Sequence, residues 1–187
     1  METPVKTSNI NGVNLDALGQ TIEAIRQEPE LGKHRFRVRN RWIGSTRNCS
    51  TADGYFGAGR EQRHSRPFEL HADEPAALGG ADSAANPVEH LLHSLASCVT
   101  TSIVAHAAVR GIAIQEMESE LEGDIDVRGF LGLAAGVPKG YTGIRVRILV
   151  KADGVDLGQL RRLAEFSPVY NTLRNCVPID IVMERKT

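Results

Sequence analysis

The most nucleophilic side chains of this sequence are three thiols, Cys49, Cys98 and Cys176. Cys98 ends the run Asn86-Pro-Val-Glu-His-Leu-Leu-His-Ser-Leu-Ala-Ser-Cys98. A cysteine on an apolar helix is ordinarily a small, inert hydrophobe. It becomes a nucleophile when a cation or an open pocket favours its thiolate. Arg37, Arg39, Arg41, Arg47, Arg60, Arg63 and Arg66 crowd the N-terminal third. His90 and His93 stand three apart in the Cys98 segment, a spacing open to a metal. No third ligand falls at a diagnostic spacing, so no metal is expected. Neither a phosphate-binding glycine loop nor a serine nucleophile elbow is present.

The Cys98 segment has the signals of a helix. Asn86 suits the N-cap, Pro87 the first helical position and Glu89 the third, where a carboxylate faces the positive helix end. Val88, Leu91, Leu92, Leu95, Val99 and Ile103 recur at helical spacing, which predicts a helix from Pro87 to about Val109, ended by Gly111. Residues 34–43 alternate, with Phe36, Val38 and Trp42 set against Arg35, Arg37, Arg39 and Arg41. Strands are further expected over 45–52 and 67–72, with turn chemistry at 53–59 and a long loop at 73–85. Residues 117–127 and 141–151 alternate again, one with acids outward and the other with Arg145, Arg147 and Lys151 outward. They are expected to pair antiparallel with their charges on one face. Asp156 caps a predicted helix through Phe166, and Ser167-Pro168 starts another ending near Asn175. Residues 177–183 read as a last strand. Ahead of all this, Leu15, Leu18, Ile22 and Ile25 mark an amphipathic helix over 14–28, ended by Pro29. The pattern gives an α+β domain over 34–187, preceded by a helical extension over 1–33.

Three segments resemble the OsmC/Ohr family of thiol-dependent hydroperoxide reductases. They are the run ending at Cys98, the lead-in Asp73-Glu-Pro-Ala-Ala-Leu-Gly-Gly, and Ser167-Pro-Val-Tyr-Asn-Thr-Leu173. The resemblance spans roughly residues 35–185. It implies an intertwined homodimer, with antiparallel sheets from both chains wrapped around central helices and active sites at the interface. It also makes Cys98 the peroxide-reducing thiol, whose attack on the distal peroxide oxygen gives a sulfenic acid and an alcohol. The family's second cysteine opens its C-P-V segment, and Ser167 occupies that position here. A serine cannot form the disulfide, so a one-cysteine cycle regenerated by an external thiol is expected. Cys176 is the possible alternative thiol. The family's glutamate directly follows the proline, where Val88 stands; Glu89 comes one residue later and points about 100° away. Glu89 is kept as a catalytic candidate, with a capping role beside it. Arg47 and Arg60 are the candidates for the arginine over the thiolate.

Composition bounds the alternatives. The chain has 187 residues, 41% hydrophobic and 24% charged, with a formal net charge of −1. Those values suit one soluble domain and give no field that attracts nucleic acid or an anionic membrane. The first eight residues lack an apolar signal core, and glutamate and histidines interrupt the apolar helix, so neither export nor a membrane span is expected. An odd number of widely spaced cysteines fits free thiols in a reducing cytoplasm. No cofactor is expected. The competing expectation is a non-catalytic protein of the same fold, holding a small apolar or electrophilic ligand at the dimer interface.

Overall fold

A computed structural model describes residues 9–185. The eight N-terminal residues read above for a signal core lie outside them. The chain divides into two compact units, the first ending at His93 and the second beginning at Ser94.

In the first unit, strands β1 (Asn9–Ile10) and β2 (Val13–Asn14) form a hairpin that leads into helix α1 (Leu15–Gln27). Asn14 caps α1 by accepting from Ala17 N at 3.0 Å. Leu15, Leu18, Ile22 and Ile25 are half-buried, as expected of the apolar stripe, and Pro29 opens a short 3-10 turn after the helix.

The alternating stretch over 34–43 forms two strands instead of one, β3 (Arg35–Phe36) and β4 (Arg39–Gly44). Both pair antiparallel with β5 (Arg47–Gly57), and β5 pairs on its other edge with β6 (Arg60–Ala72). Phe36 and Trp42, on the apolar side of the alternation, are 75% and 72% exposed. The 53–59 segment read as turn is mostly strand. The register shifts between Ala52 and Gly54, where Asp53 stands against the longer run 64–67 of β6, and Gly54 lies against the Gln62 carbonyl with no room for a β-carbon. The turn itself is only Ala58-Gly59, both left-handed with φ of 50° and 73°. Such two-residue hairpin turns match the natural twist of the strands.

Helix α2 (Pro87–Val109) crosses from the first unit into the second. In the second unit β7 (Glu116–Asp124) and β8 (Gly143–Lys151) pair antiparallel, with Glu116 opposite Lys151 and Glu122 opposite Arg145. Arg145 bonds both Glu122 and Asp124, Arg147 bonds Glu120 at 3.0 Å, and Lys151 bonds Glu116 at 3.2 Å. The two charge rows therefore meet on one face, as their alternation predicts. Val127, expected within the strand, instead opens the short helix α3 (Val127–Phe130), capped by Asp126. Asp156 caps α4 (Leu157–Leu163) through Gly158 N and Gln159 N. A 3-10 turn then completes the run to Phe166, and α5 (Pro168–Asn175) follows.

The core of this unit is made by Leu95, Val99, Ile103 and Ala107 of α2 against Leu160 and Leu163 of α4. The inward faces of β7 and β8 close it with Met117, Leu121, Ile148 and Val150. Burying each such aliphatic side chain is worth about 1.5–3 kcal/mol. That stripe buries one side of α2. By length and composition alone α2 would pass for a membrane span, with a mean hydropathy of 1.3 over 18 residues, so its histidines interrupt it less than expected. Residues 177–183, expected as a last strand, make no strand pairing among the described residues. Val177, Ile179, Ile181 and Met183 are exposed there, Met183 at 92%.

Candidate functional site

The start of α2 is held by a reciprocal cap. Val88 N donates to Asn86 Oδ1 at 2.8 Å, and Asn86 N donates to Glu89 Oε2 at 2.8 Å. Glu89 thus holds the helix start, the plainer of its two expected roles.

Asn86 is itself tethered, because its Nδ2 donates to Glu74 Oε2. Glu74 belongs to a loop organised by Asp73, which is fully buried. Asp73 Oδ1 accepts from Thr46 Oγ1 at 2.6 Å and Glu74 N at 2.9 Å. Its Oδ2 accepts from Ala81 N, Ser83 N and Ser83 Oγ, the last at 2.7 Å. Hydrogen bonds from Thr46 and Ser83 hold its carboxyl far below the usual carboxylate range. Gly79 takes a left-handed φ of 83° in this loop, and a β-carbon on Gly80 would overlap the Glu74 carbonyl. The Asp73-Glu-Pro run, which the sequence offered only as a family signature, is therefore the anchor of the α2 N-terminus. Its signal was present, an acid before two glycines and a serine, but spacing alone did not reveal that the carboxylate is buried.

Cys98 lies between buried Leu95 and Val99 on α2 and is itself half-buried. Its carbonyl accepts from Ser102 Oγ at 2.8 Å. All three cysteines are free thiols. An apolar cavity of about 440 Å³ opens in the same unit, lined by Ile103, Met117, Ile148, Leu160 and Ala164, with Arg161 as its cation. Ile103 is five residues past Cys98, about 7.5 Å along the helix axis.

Ser167, at the family's second-cysteine position, is fully buried and caps α5, accepting from Tyr170 N at 3.1 Å. Cys176 is exposed at the end of α5, in a left-handed conformation with φ of 48°. Arg47 opens β5 and Arg60 opens β6, at opposite ends of one hairpin. The length of β5 separates them by about 30 Å within the chain. Cys49 is buried on β5. His90 Nε2 bonds the His71 carbonyl at 2.8 Å. His106 stacks on Phe166 with centroids 4.0 Å apart, and burial, then Arg110, pushes its pKa down.

The fold of this chain resembles those of known structures. The chain is similar to an OsmC-like protein from Mycoplasma pneumoniae, with 13% identity, a TM-score of 0.58, and coverage of 76% of this chain and 89% of that one. It is similar to a Psychrobacter arcticus protein whose name proposes an osmotic stress-induced and detoxification response, with 21% identity, a TM-score of 0.54 and coverage of 72% and 85%. An OsmC-like protein of unknown function from Vibrio cholerae matches at 15% identity and a TM-score of 0.50, covering 82% and 98%. These likenesses establish the α+β fold. No curated protein matches the sequence. The family model described as OsmC-like protein matches residues 80–182, more than half of the 187, a stretch that holds both Cys98 and Ser167. The chain belongs to the OsmC-like family.

Proposed function

We propose that this chain is a cytoplasmic hydroperoxide reductase of the oxidative stress response, working through Cys98 as a homodimer. The observation that carries the reading is Cys98 itself, a free, half-buried thiol on α2 inside the family-matched region. The cycle has one cysteine. The Cys98 thiolate attacks the distal oxygen of an organic hydroperoxide; the S–O bond forms, the O–O bond breaks, and the alcohol leaves with the proton. Two external thiols then reduce the sulfenic acid, releasing water and a disulfide. Ser167 supports this cycle, since its hydroxyl is buried in a helix cap where the family places the second sulfur. An arginine of the N-terminal sheet, Arg47 or Arg60, supplies the cation over the thiolate. Dimerisation is supported by apolar surface that a single chain leaves open, at Phe36, Trp42 and the 177–183 segment.

The test is consumption of an organic hydroperoxide with a dithiol reductant. The native protein is expected to turn over, and Cys98→Ser to lose at least about a hundredfold in rate, the scale on which removing a nucleophile acts. Equal rates for the two would overturn the reading. The apolar cavity favours a second reading, in which the fold holds a small apolar ligand and performs no chemistry. That reading gains if native and variant are equally inactive yet both quench an apolar fluorescent probe.

A further inference from the structure

In the first unit, three side chains that the peroxide chemistry does not use converge on one point. Cys49 of β5 lies directly opposite His71 of β6 in the strand register, so both side chains leave the same face of the sheet. Glu69 is two residues before His71 on the same strand and therefore shares that face. Cys49 Sγ is 3.9 Å from His71 Nε2, and Glu69 Oε2 is 3.7 Å from the same nitrogen. The sulfur, nitrogen and carboxylate oxygen all lie within 4.8 Å of one another.

These separations discriminate between two uses of the cluster. A thiol activated by an oriented histidine would engage one ring nitrogen while the carboxylate held the other. Here thiol and carboxylate both address Nε2, so the ring cannot relay a proton between them. Both contacts are also too long for a strong hydrogen bond to nitrogen. They are close to what two ligands of one ion require. Bond lengths of about 2.3 Å to sulfur and about 2.0–2.1 Å to nitrogen and oxygen put tetrahedral ligands about 3.3–3.6 Å apart. Rotations of the Glu69 and His71 side chains, which are 65% and 55% exposed, suffice to close the difference.

We propose that Cys49, Glu69 and His71 form a binding site for a zinc-class divalent cation. Thiolate, imidazole and carboxylate are the ligand types that such an ion prefers, and the two anions neutralise its charge. The fourth position is left for water or a small anion. Two features fix the framework. Cys49 is buried in the central strand, and His90 Nε2 holds the His71 carbonyl, which ties the end of β6 to the first turn of α2. Arg41, opposite Cys49 on β4, is a long exposed side chain flanking the site.

The test uses the full chain carrying Cys98→Ser and Cys176→Ser, so that Cys49 is the only thiol. Titration with Co²⁺ alone is expected to give a near-ultraviolet thiolate-to-cobalt charge-transfer band that saturates at one equivalent and is abolished by one equivalent of Zn²⁺. His71→Gln is expected to weaken Co²⁺ binding at least tenfold, and Glu69→Gln to weaken it less. Because the His71 ring is more than half exposed, its variant is expected to keep the native circular dichroism spectrum, which separates ligand loss from misfolding. Absence of the band in the folded protein, or an unchanged affinity in His71→Gln, would overturn the proposal. Since Cys98 is absent from the tested protein, the result is independent of the peroxidase reading.

Discussion

At the scale of single residues, Asp73 is the side chain on which the loop before α2 depends. A buried carboxylate is tolerable only when its lone pairs are satisfied, and here five donors meet one carboxylate. Its pKa lies below the ordinary value, so the folded state favours the charged form. The stabilisation is therefore complete above the ordinary carboxylate pKa of about 3.9 and is lost as pH falls from there towards the depressed folded value. Asp73→Asn keeps the shape but turns an acceptor towards donors. Its Tm at neutral pH is expected to fall by about 5 °C or more, the scale of a broken buried network. The gap between native and variant should narrow as the pH drops below about 4, where the carboxyl of the unfolded chain begins to take its proton while the folded one still holds its charge. A gap that stays constant across an acid series of thermal melts would show that the charge is not what stabilises the loop. Cys98 differs from Asp73 in what the sequence discloses. Its candidacy rests on residue type and family segment alone, whereas the anchoring role of Asp73 became visible only with the loop folded around it.

At the scale of elements, the alternating charges of β7 and β8 were readable because both strands keep period two and find their partner in the same chain. The ion pairs they make are exposed, so individually they do little for stability and more for register. Glu120→Lys, opposite Arg147, is expected to lower Tm by about 1–3 °C, and Glu120→Arg with Arg147→Glu to restore it. Melts in which the double exchange gains nothing over Glu120→Lys would remove pairing as a determinant of register. Caps were equally legible, at Asn86, Asp156 and Ser167, because capping is local. What failed was reading that depends on distant partners. Asp53-Gly54 looked like a turn, yet a bulge carries the strand through it to Ala58-Gly59. Residues 177–183 have a strand pattern and no strand partner among the described residues. Cys49, Glu69 and His71 are separated by twenty-two positions of chain, and only the β5–β6 register brings them together.

At the scale of the whole molecule, the apolar residues left open bear on assembly. Ile179, Ile181, Val182 and Met183 are 75–92% exposed within seven residues of one another. Consecutive apolar side chains of this kind are rare on a lone protein surface. A dimer burying more than about 2,000 Å² in total is expected, as in obligate assemblies. Light scattering at micromolar concentration should return twice the chain mass. A mass of one chain would leave that surface unexplained and would remove the homodimer from the proposed mechanism.

The loop anchored on Asp73 also bears on where the chain can be cut. The family-matched stretch begins at residue 80, so an expression fragment trimmed to that boundary would keep Ala81, Ser83 and Asn86 while discarding Thr46, Asp73 and Glu74. Two backbone amides and a serine hydroxyl would lose their acceptor, and the cap of α2 would lose its tether. The stretch matched by the family model is thus not a separable half of the protein; its first helix takes its footing from residues upstream of residue 80.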